Sequence, residues 1–113
     1  MNQLDVLIFT QSLSSVLMQL ERLGETVELE LGAGVLDVQA AIPGAGDGQV
    51  DRRDILKNGK ITKYGRQRYG NRLSFKNGTL TIQNLKAADA VTYFYHFRGD
   101  PRKPMGIDVV VKE

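Results

Sequence analysis

The sequence predicts an all-β domain, and three stretches with alternating apolar residues carry that prediction. The first, residues 72–97, alternates on both sides of Asn77-Gly78, which is a strong signal for a β-hairpin turn. The second and third, residues 27–31 and 107–111, have Val, Leu or Ile at every other position. Because side chains two residues apart lie on one face of a strand, each stretch can bury one face against a core.

Length and composition indicate one domain. With 113 residues, of which 42% are hydrophobic, the chain can bury one core and is too short for two, so we expect a single domain over residues 1–113. No apolar run approaches the roughly 20 residues of a membrane span, and we expect no membrane insertion. The start, MNQLDVLIFTQS, lacks the basic residues of a signal peptide. Either the protein is cytosolic or a leader has been removed.

The N-terminal part of the chain leaves one element open. Residues 5–10 are predicted to form a short strand. Residues 14–23 have apolar residues at helical spacing ahead of a glycine, which by itself indicates a helix, although a strand is the alternative. In both interpretations the apolar stripe is expected to lie in the core: Val16, Leu20 and Leu23.

The middle of the chain has two strand assignments. One places a strand at residues 35–42 after a short Gly32-Ala33-Gly34 connection. The other places it at residues 50–56 and leaves residues 32–49 as a loop. Since loops of that length are uncommon in compact domains, the first assignment is favoured. It adds a strand at 49–56, a turn at Asn58-Gly59 and an edge strand at 60–64.

The last hairpin of the domain contains three aromatic side chains at spacing two. Tyr93, Tyr95 and Phe97 are therefore predicted to face the core from one strand. By the same parity, Phe94 and His96 face outward. The final strand follows at residues 107–111, and Gly106 is a candidate bulge.

Charge is unevenly distributed along the chain. Residues 1–54 hold nine acids and three bases, whereas residues 55–113 hold twelve bases and four acids. No acid lies between Asp54 and Asp89. The simplest interpretation is a solvated edge kept soluble by Lys and Arg, and the second is a surface at residues 57–76 that binds an acidic ligand. Nucleic acid is not favoured, since the aromatic signature of an RNA-binding sheet is absent.

Several kinds of chemistry find no support in the sequence. There is no cysteine and one histidine, which rules out cysteine nucleophiles and zinc sites built from Cys or several His. The glycine-rich GAGDG segment lacks the G-K-[ST] of a phosphate-binding loop. No nucleophile elbow is present. We therefore expect no enzyme activity, no cofactor and no metal.

The pattern R-x-x-F…N-G-T-L-T-I-x-N-L…D-A-x-T-Y-x-Y resembles strands D, E and F of an immunoglobulin-type domain. The resemblance implies an immunoglobulin-like two-sheet antiparallel sandwich, and it favours the V-type over the I-type. It implies that Tyr93 forms a tyrosine corner and that Arg72 pairs with Asp89. Leu31 and Tyr95 stand where the family has its inter-sheet disulfide. The family's N-terminal strands also favour a strand at residues 14–23.

V-type domains without that disulfide occur among adhesion receptors of the signalling lymphocyte-activation molecule family, and DILKNGKITKYGRQRYGNRLSF is similar to them in layout. The resemblance implies an extracellular or cell-surface recognition module that binds another immunoglobulin-like domain, or a second copy, through its GFCC′ sheet. The alternative is an intracellular I-type module of a filament. The residues expected at the binding surface are Phe94 as anchor, His96 as neighbour, Gln39 and Ala41 on strand C, and Lys57 or Arg98 at the rim.

Overall fold

The structure is a computed structural model that describes residues 15–44 and 50–112. Those residues form a sheet of six strands and a sheet of three strands, whose inner residues make one hydrophobic core. The predicted all-β sandwich is confirmed at this level, and the arrangement is compatible with an immunoglobulin-like domain. One pairing within the larger sheet is parallel and the others are antiparallel.

The two sheets draw their strands from distant parts of the chain. In spatial order the larger sheet contains β1 (Ser15–Glu21), β9 (Pro104–Val111), β8 (Thr92–His96), β3 (Val38–Pro43), β4 (Val50–Lys57) and β5 (Lys60–Ile61). The smaller sheet contains β2 (Val27–Glu30), β7 (Thr79–Ile82) and β6 (Leu73–Lys76). A helix, α1 (Lys63–Tyr69), leads from β5 towards β6.

The core forms where the alternating strands of the two sheets meet. Along β2 the burial alternates residue by residue, and β7 shows the same period. The sequence pattern predicts that six residues of the alternating stretches and of the connection after β7 share one core, and the structure confirms this, since all six are buried in one cluster. They are Leu29, Leu31, Ile82, Leu85, Tyr93 and Tyr95.

Both predicted Asn-Gly turns are present, one between β6 and β7 and one between β4 and β5. Asn77 and Asn58 have φ of 50° and 52°, and the glycines that follow them are also left-handed. This conformation matches the right-handed twist of a hairpin. A side chain at position 78 would also clash, since a Cβ atom there would lie 2.5 Å from the Gly32 carbonyl oxygen.

The strand assignment in the middle of the chain follows the favoured alternative. β3 and β4 pair with each other, so a loop over residues 32–49 is wrong. The predicted edge strand at 60–64 is also wrong beyond Ile61. Thr62 is instead the N-cap of α1, because its hydroxyl oxygen accepts a hydrogen bond from the Gly65 amide at 3.0 Å.

The N-terminal segment forms a strand, so the helical interpretation of residues 14–23 is wrong, and so is the expected burial of its apolar stripe. Val16, Leu20 and Leu23 are 59%, 52% and 57% exposed. β1 is the outermost strand of a six-stranded sheet, and the opposing three-stranded sheet is too narrow to cover it. The strand predicted at residues 5–10 lies outside the described residues.

The C-terminal hairpin corrects two further predictions. β8 ends at His96, so Phe97 does not face the core and is 39% exposed. The chain turns at Arg98, which has a φ of 54°, and the Phe97 amide donates to the Lys103 carbonyl at 2.9 Å. Gly106 is no bulge, because the pairing of β8 with β9 runs through it in continuous register.

Candidate binding face

The outer face of the six-stranded sheet, away from the core, carries a row of directly paired residues that crosses five strands. Val16 pairs with Gly106, which pairs with Phe94. Phe94 in turn pairs with Gln39, and Gln39 with Asp54. The row is apolar on β1, β9 and β8 and becomes polar and charged on β3 and β4. We call this row the central row.

Phe94 occupies the middle of the central row and is half-buried. Its chain neighbours Tyr93 and Tyr95 fill the core, which confirms the predicted parity of the strand. Above the ring, the Arg52 guanidinium carbon lies 3.7 Å from the ring centroid, a cation–π contact. Beside it, Gly106 has no side chain, and a Cβ there would lie 3.5 Å from two ring carbons. One face of the ring is thus covered by an exposed arginine side chain, and its edge is bordered by the backbone of Gly106.

A shallow pocket of about 160 Å³ opens beside Phe94. Small-molecule sites usually measure about 300–1,000 Å³, so this pocket is too small for a typical ligand of that kind. It is formed by residues of β3, β4, β8 and β9 and by Asp37, which precedes β3. Its lining consists of Asp37, Gln39, Arg52, Asp54, Lys57, Phe94, Tyr95, His96, Pro104 and Met105.

Four of the six residues expected at the binding surface line this pocket: Phe94, His96, Gln39 and Lys57. Ala41 lies further along β3, opposite Arg52. Arg98 is not brought together with them. It lies in the turn after β8, with its guanidinium carbon 5.2 Å from the Phe97 ring centroid.

Sequence reasoning missed three parts of this face. Arg52 and Asp54 alternate along β4, and this spacing was a usable signal once β3 and β4 were paired. Asp54 accepts a hydrogen bond from the Gln39 amide nitrogen at 3.0 Å. The third part is the exposed apolar strip of β1, whose members on the outer face are paired with Gly106, Asp108 and Val110 of β9. These are Val16, Met18 and Leu20.

A second polar cluster lies in the interior, under α1, and has a structural role. The Tyr93 hydroxyl donates to the Asp89 carbonyl at 2.8 Å, which is the bond expected of a tyrosine corner. Since that bond uses the only Tyr93 proton, the Tyr69 hydroxyl, 2.9 Å away, must be the donor between the two tyrosines. Burial raises the pKa of both tyrosines above the ordinary value.

The same cluster contains the predicted ion pair. Arg72 donates to both carboxylate oxygens of Asp89, at 2.6 and 3.2 Å. The Lys86 amide donates to the same carboxylate at 2.8 Å. Asp89 is 1% exposed, so its charge is compensated within the protein. This pair fixes the end of the sandwich and offers no free group to a partner.

No protein-family model matches the chain, and a comparison with curated proteins finds no match. Within residues 15–44 and 50–112, no group of three or more His, Asp or Glu side chains could hold a metal ion. None of the helices in this part of the chain is long and apolar enough to cross a membrane.

Proposed function

We propose that this protein is a non-enzymatic recognition module that binds another protein domain through the outer face of its six-stranded sheet. A second copy of the chain is the first partner to test. The observation that carries the proposal is the central row, where the half-covered ring of Phe94 lies between an exposed apolar strip and a polar, charged edge. Protein interfaces combine an apolar, often aromatic centre with a polar rim.

Strand order supports a V-type assignment within this proposal. In V-type domains, extra strands C′ and C″ extend the GFC sheet. The larger sheet here has the corresponding order if β9, β8 and β3 are G, F and C and if β4 and β5 are C′ and C″. The smaller sheet then holds B, E and D. The likeness to adhesion receptors of the signalling lymphocyte-activation molecule family, and a cell-surface location, belong to the same proposal.

Phe94 is suited to act as an anchor because a partner residue can replace the Arg52 side chain that covers its ring. Arg52, which lies over the ring, belongs to an exposed stretch of β4. A partner residue can replace that guanidinium at little cost, since an exposed cation–π contact contributes only about 0.5–1 kcal/mol. Anchors of this kind, aromatic and near the centre of a face, contribute most of the binding energy in protein complexes.

The test compares two aromatic-to-acid variants by analytical ultracentrifugation at about 100 μM, a concentration suited to weak interfaces. Wild type is expected to form a dimer, and Phe94→Asp a folded monomer, because a carboxylate at the centre of the contact would be buried without a partner. Phe97→Asp is the matched control. Phe97 is an exposed aromatic residue outside the face, so this variant should dimerise like wild type.

The outcomes separate the alternatives. If wild type and Phe94→Asp are the same stable monomer, self-pairing is wrong, and the intracellular structural module is then favoured over a self-recognising one. If Phe94→Asp unfolds under conditions where Phe97→Asp is folded, Phe94 is a core residue and not an anchor. Circular dichroism on the same samples decides whether each variant is folded.

A further inference from the structure

Four cations follow one another along the edge of the larger sheet and into α1. They are Lys57, Lys60, Lys63 and Arg66, which we call the cationic track, and all four are exposed. Lys57 and Lys60 pair directly across the Asn58-Gly59 turn. Lys63 is the first residue of α1, and Arg66 lies one helical turn later. Within the described residues none of the four takes part in a salt bridge.

The track is electrostatically unfavourable for the fold at two places. Directly opposed residues on neighbouring strands have Cβ atoms roughly 4.5–5.5 Å apart, and like charges there destabilise a hairpin. Lys57 and Lys60 are such a pair. Lys63 stands in the first turn of a helix, where a cation opposes the helix dipole, and that turn contains no acidic residue.

Edge protection does not account for this choice of residues. Charged side chains, lysine above all, keep an edge strand such as β5 from pairing with another chain, but glutamate also serves that purpose. A glutamate at position 60 would protect the edge and also remove the repulsion with Lys57, and a glutamate at position 63 would suit the dipole of α1. Local rules that a sequence breaks without a structural gain are expected at functional sites.

Other cations of the same acid-free segment are engaged within the protein. Arg72 pairs with Asp89, and Arg68 donates to the Ala88 carbonyl at 2.7 Å. The guanidinium of Arg53, which precedes the segment, lies over the Tyr64 ring, 4.2 Å from its centroid. Once the cations with structural contacts are set aside, the track and Lys76, which lies on β6 of the smaller sheet, remain of the basic region at residues 57–76.

We propose that the cationic track binds an acidic protein segment, rich in Asp and Glu. Bases of a nucleic acid would need an open aromatic surface, but Tyr64 is covered by Arg53 and Tyr69 is buried. Lys57 lines the pocket beside Phe94 as well, so the track continues the binding face. The choice of a protein over another polyanion rests on the proposed function, whereas the anion site itself does not.

The experiment measures binding of a 20-residue poly-L-glutamate peptide to the 113-residue chain at low and high salt. The double variant Lys60→Glu/Lys63→Glu is expected to lose binding by at least about tenfold, because two attractive contacts become repulsive. Its melting temperature should equal or exceed that of wild type. Lys76→Glu/Lys112→Glu makes the same change in net charge at exposed lysines outside the track, and it should keep most of the binding.

Three results would overturn the proposal. One is equal binding by the two double variants, which would mean that only net charge matters. Another is a lower melting temperature for Lys60→Glu/Lys63→Glu, which would make these lysines structural. The third is binding of dextran sulfate without binding of polyglutamate, which would assign the track to a sulfated polymer. Ultracentrifugation of wild type reports on self-pairing and polyglutamate binding reports on the track, so failure of self-pairing and failure of the track are distinguishable.

Discussion

The cations between Asp54 and Asp89 divide into two groups that the charge pattern of the sequence does not distinguish. Arg72 is largely buried and donates two hydrogen bonds to a carboxylate that is itself buried. Lys60, twelve residues earlier, is exposed and lies opposite another lysine. One cation stabilises the end of the sandwich, and the other is available to a partner. The difference shows that contacts decide the role of a charge, and that counting charges does not.

Replacing each of these cations by an apolar residue of similar length gives the largest expected contrast. Arg72→Met leaves the Asp89 carboxylate buried without its cation, and removal of one member of a buried pair costs about 3–5 kcal/mol of unfolding free energy. Lys60→Met should change that free energy by no more than about 0.5 kcal/mol, as exposed substitutions usually do. Urea unfolding of the two variants beside wild type measures both values. Similar losses in both would contradict the division into two groups.

The leucines also divide into buried and exposed groups, and the second prediction compares one leucine of each group. Leu31 is 4% exposed in the core, so Leu31→Ala should cost about 2–5 kcal/mol. Leu20 is 52% exposed on β1, and Leu20→Ala should cost less than about 0.5 kcal/mol. Chemical denaturation distinguishes these outcomes. A large loss for Leu20→Ala would mean that the stripe on β1 is covered in solution.

The buried tyrosines predict a loss of stability at alkaline pH. Their raised pKa means that the folded protein keeps both phenolic protons at a pH where the unfolded chain, with a pKa of about 10, releases them. Their contribution is complete below pH 10 and falls above it, by up to about 1.4 kcal/mol per pH unit for each tyrosine. Tyr69→Phe removes one of these protons and keeps the Tyr93 bond to Asp89.

Unfolding free energies of wild type and Tyr69→Phe, measured between pH 9 and 11, check this prediction. Every other titratable group is the same in both proteins, so the difference between the two slopes isolates Tyr69. Parallel curves would show that Tyr69 is open to solvent.

The smallest expected effect is a gain in the free energy of unfolding. Lys60→Glu converts a pair of like charges across the hairpin into an opposite pair, which should stabilise the fold by about 0.2–1 kcal/mol. Lys76→Glu is the matched control, since Lys76 lies opposite the uncharged Thr79. Thermal melts at low and high salt measure this stabilisation, which should decrease at high salt because salt screens the charges at positions 57 and 60. A loss of stability for Lys60→Glu would place Lys60 among the structurally engaged cations.

Much of the fold could be predicted because its signals are local. Alternation at Val27, Leu29 and Leu31 and the two Asn-Gly turns depend on neighbouring residues alone, and the structure has them as expected. The resemblance to immunoglobulin-type domains implied a tyrosine corner at Tyr93, and the Tyr93 hydroxyl does donate to a backbone carbonyl upstream, that of Asp89. α1 had a local signal too, a Thr62 cap with Gly70 after the helix, which the expectation of an edge strand obscured.

The wrong predictions concern properties that a short stretch of sequence does not determine. Periodicity places Leu20 on an apolar face, but the burial of that face depends on how far the opposing sheet extends. Phe97 continues the alternation of β8, yet the strand ends at His96 and the chain turns at Arg98. The contact between Arg52 and Phe94 depends on how β3 and β4 are aligned, including an irregularity between Val38 and Gln39. Strand parity alone places Phe94 and His96 on one face, whereas Gln39 and Lys57 join them through the pairing of β3 with β8 and with β4.

The parallel pairing of β1 with β9 has a mechanical consequence. Ser15 lies beside Met105 at one end of the ladder, and Glu21 lies beside Val111 at the other. A force that pulls Ser15 and Val111 apart therefore acts along the strands, and it loads the whole ladder of hydrogen bonds at once in shear. The bonds cannot open one after another, as they would in a hairpin pulled from its open end. Tension along the chain thus meets its first resistance at this ladder, which joins segments about ninety residues apart in the sequence.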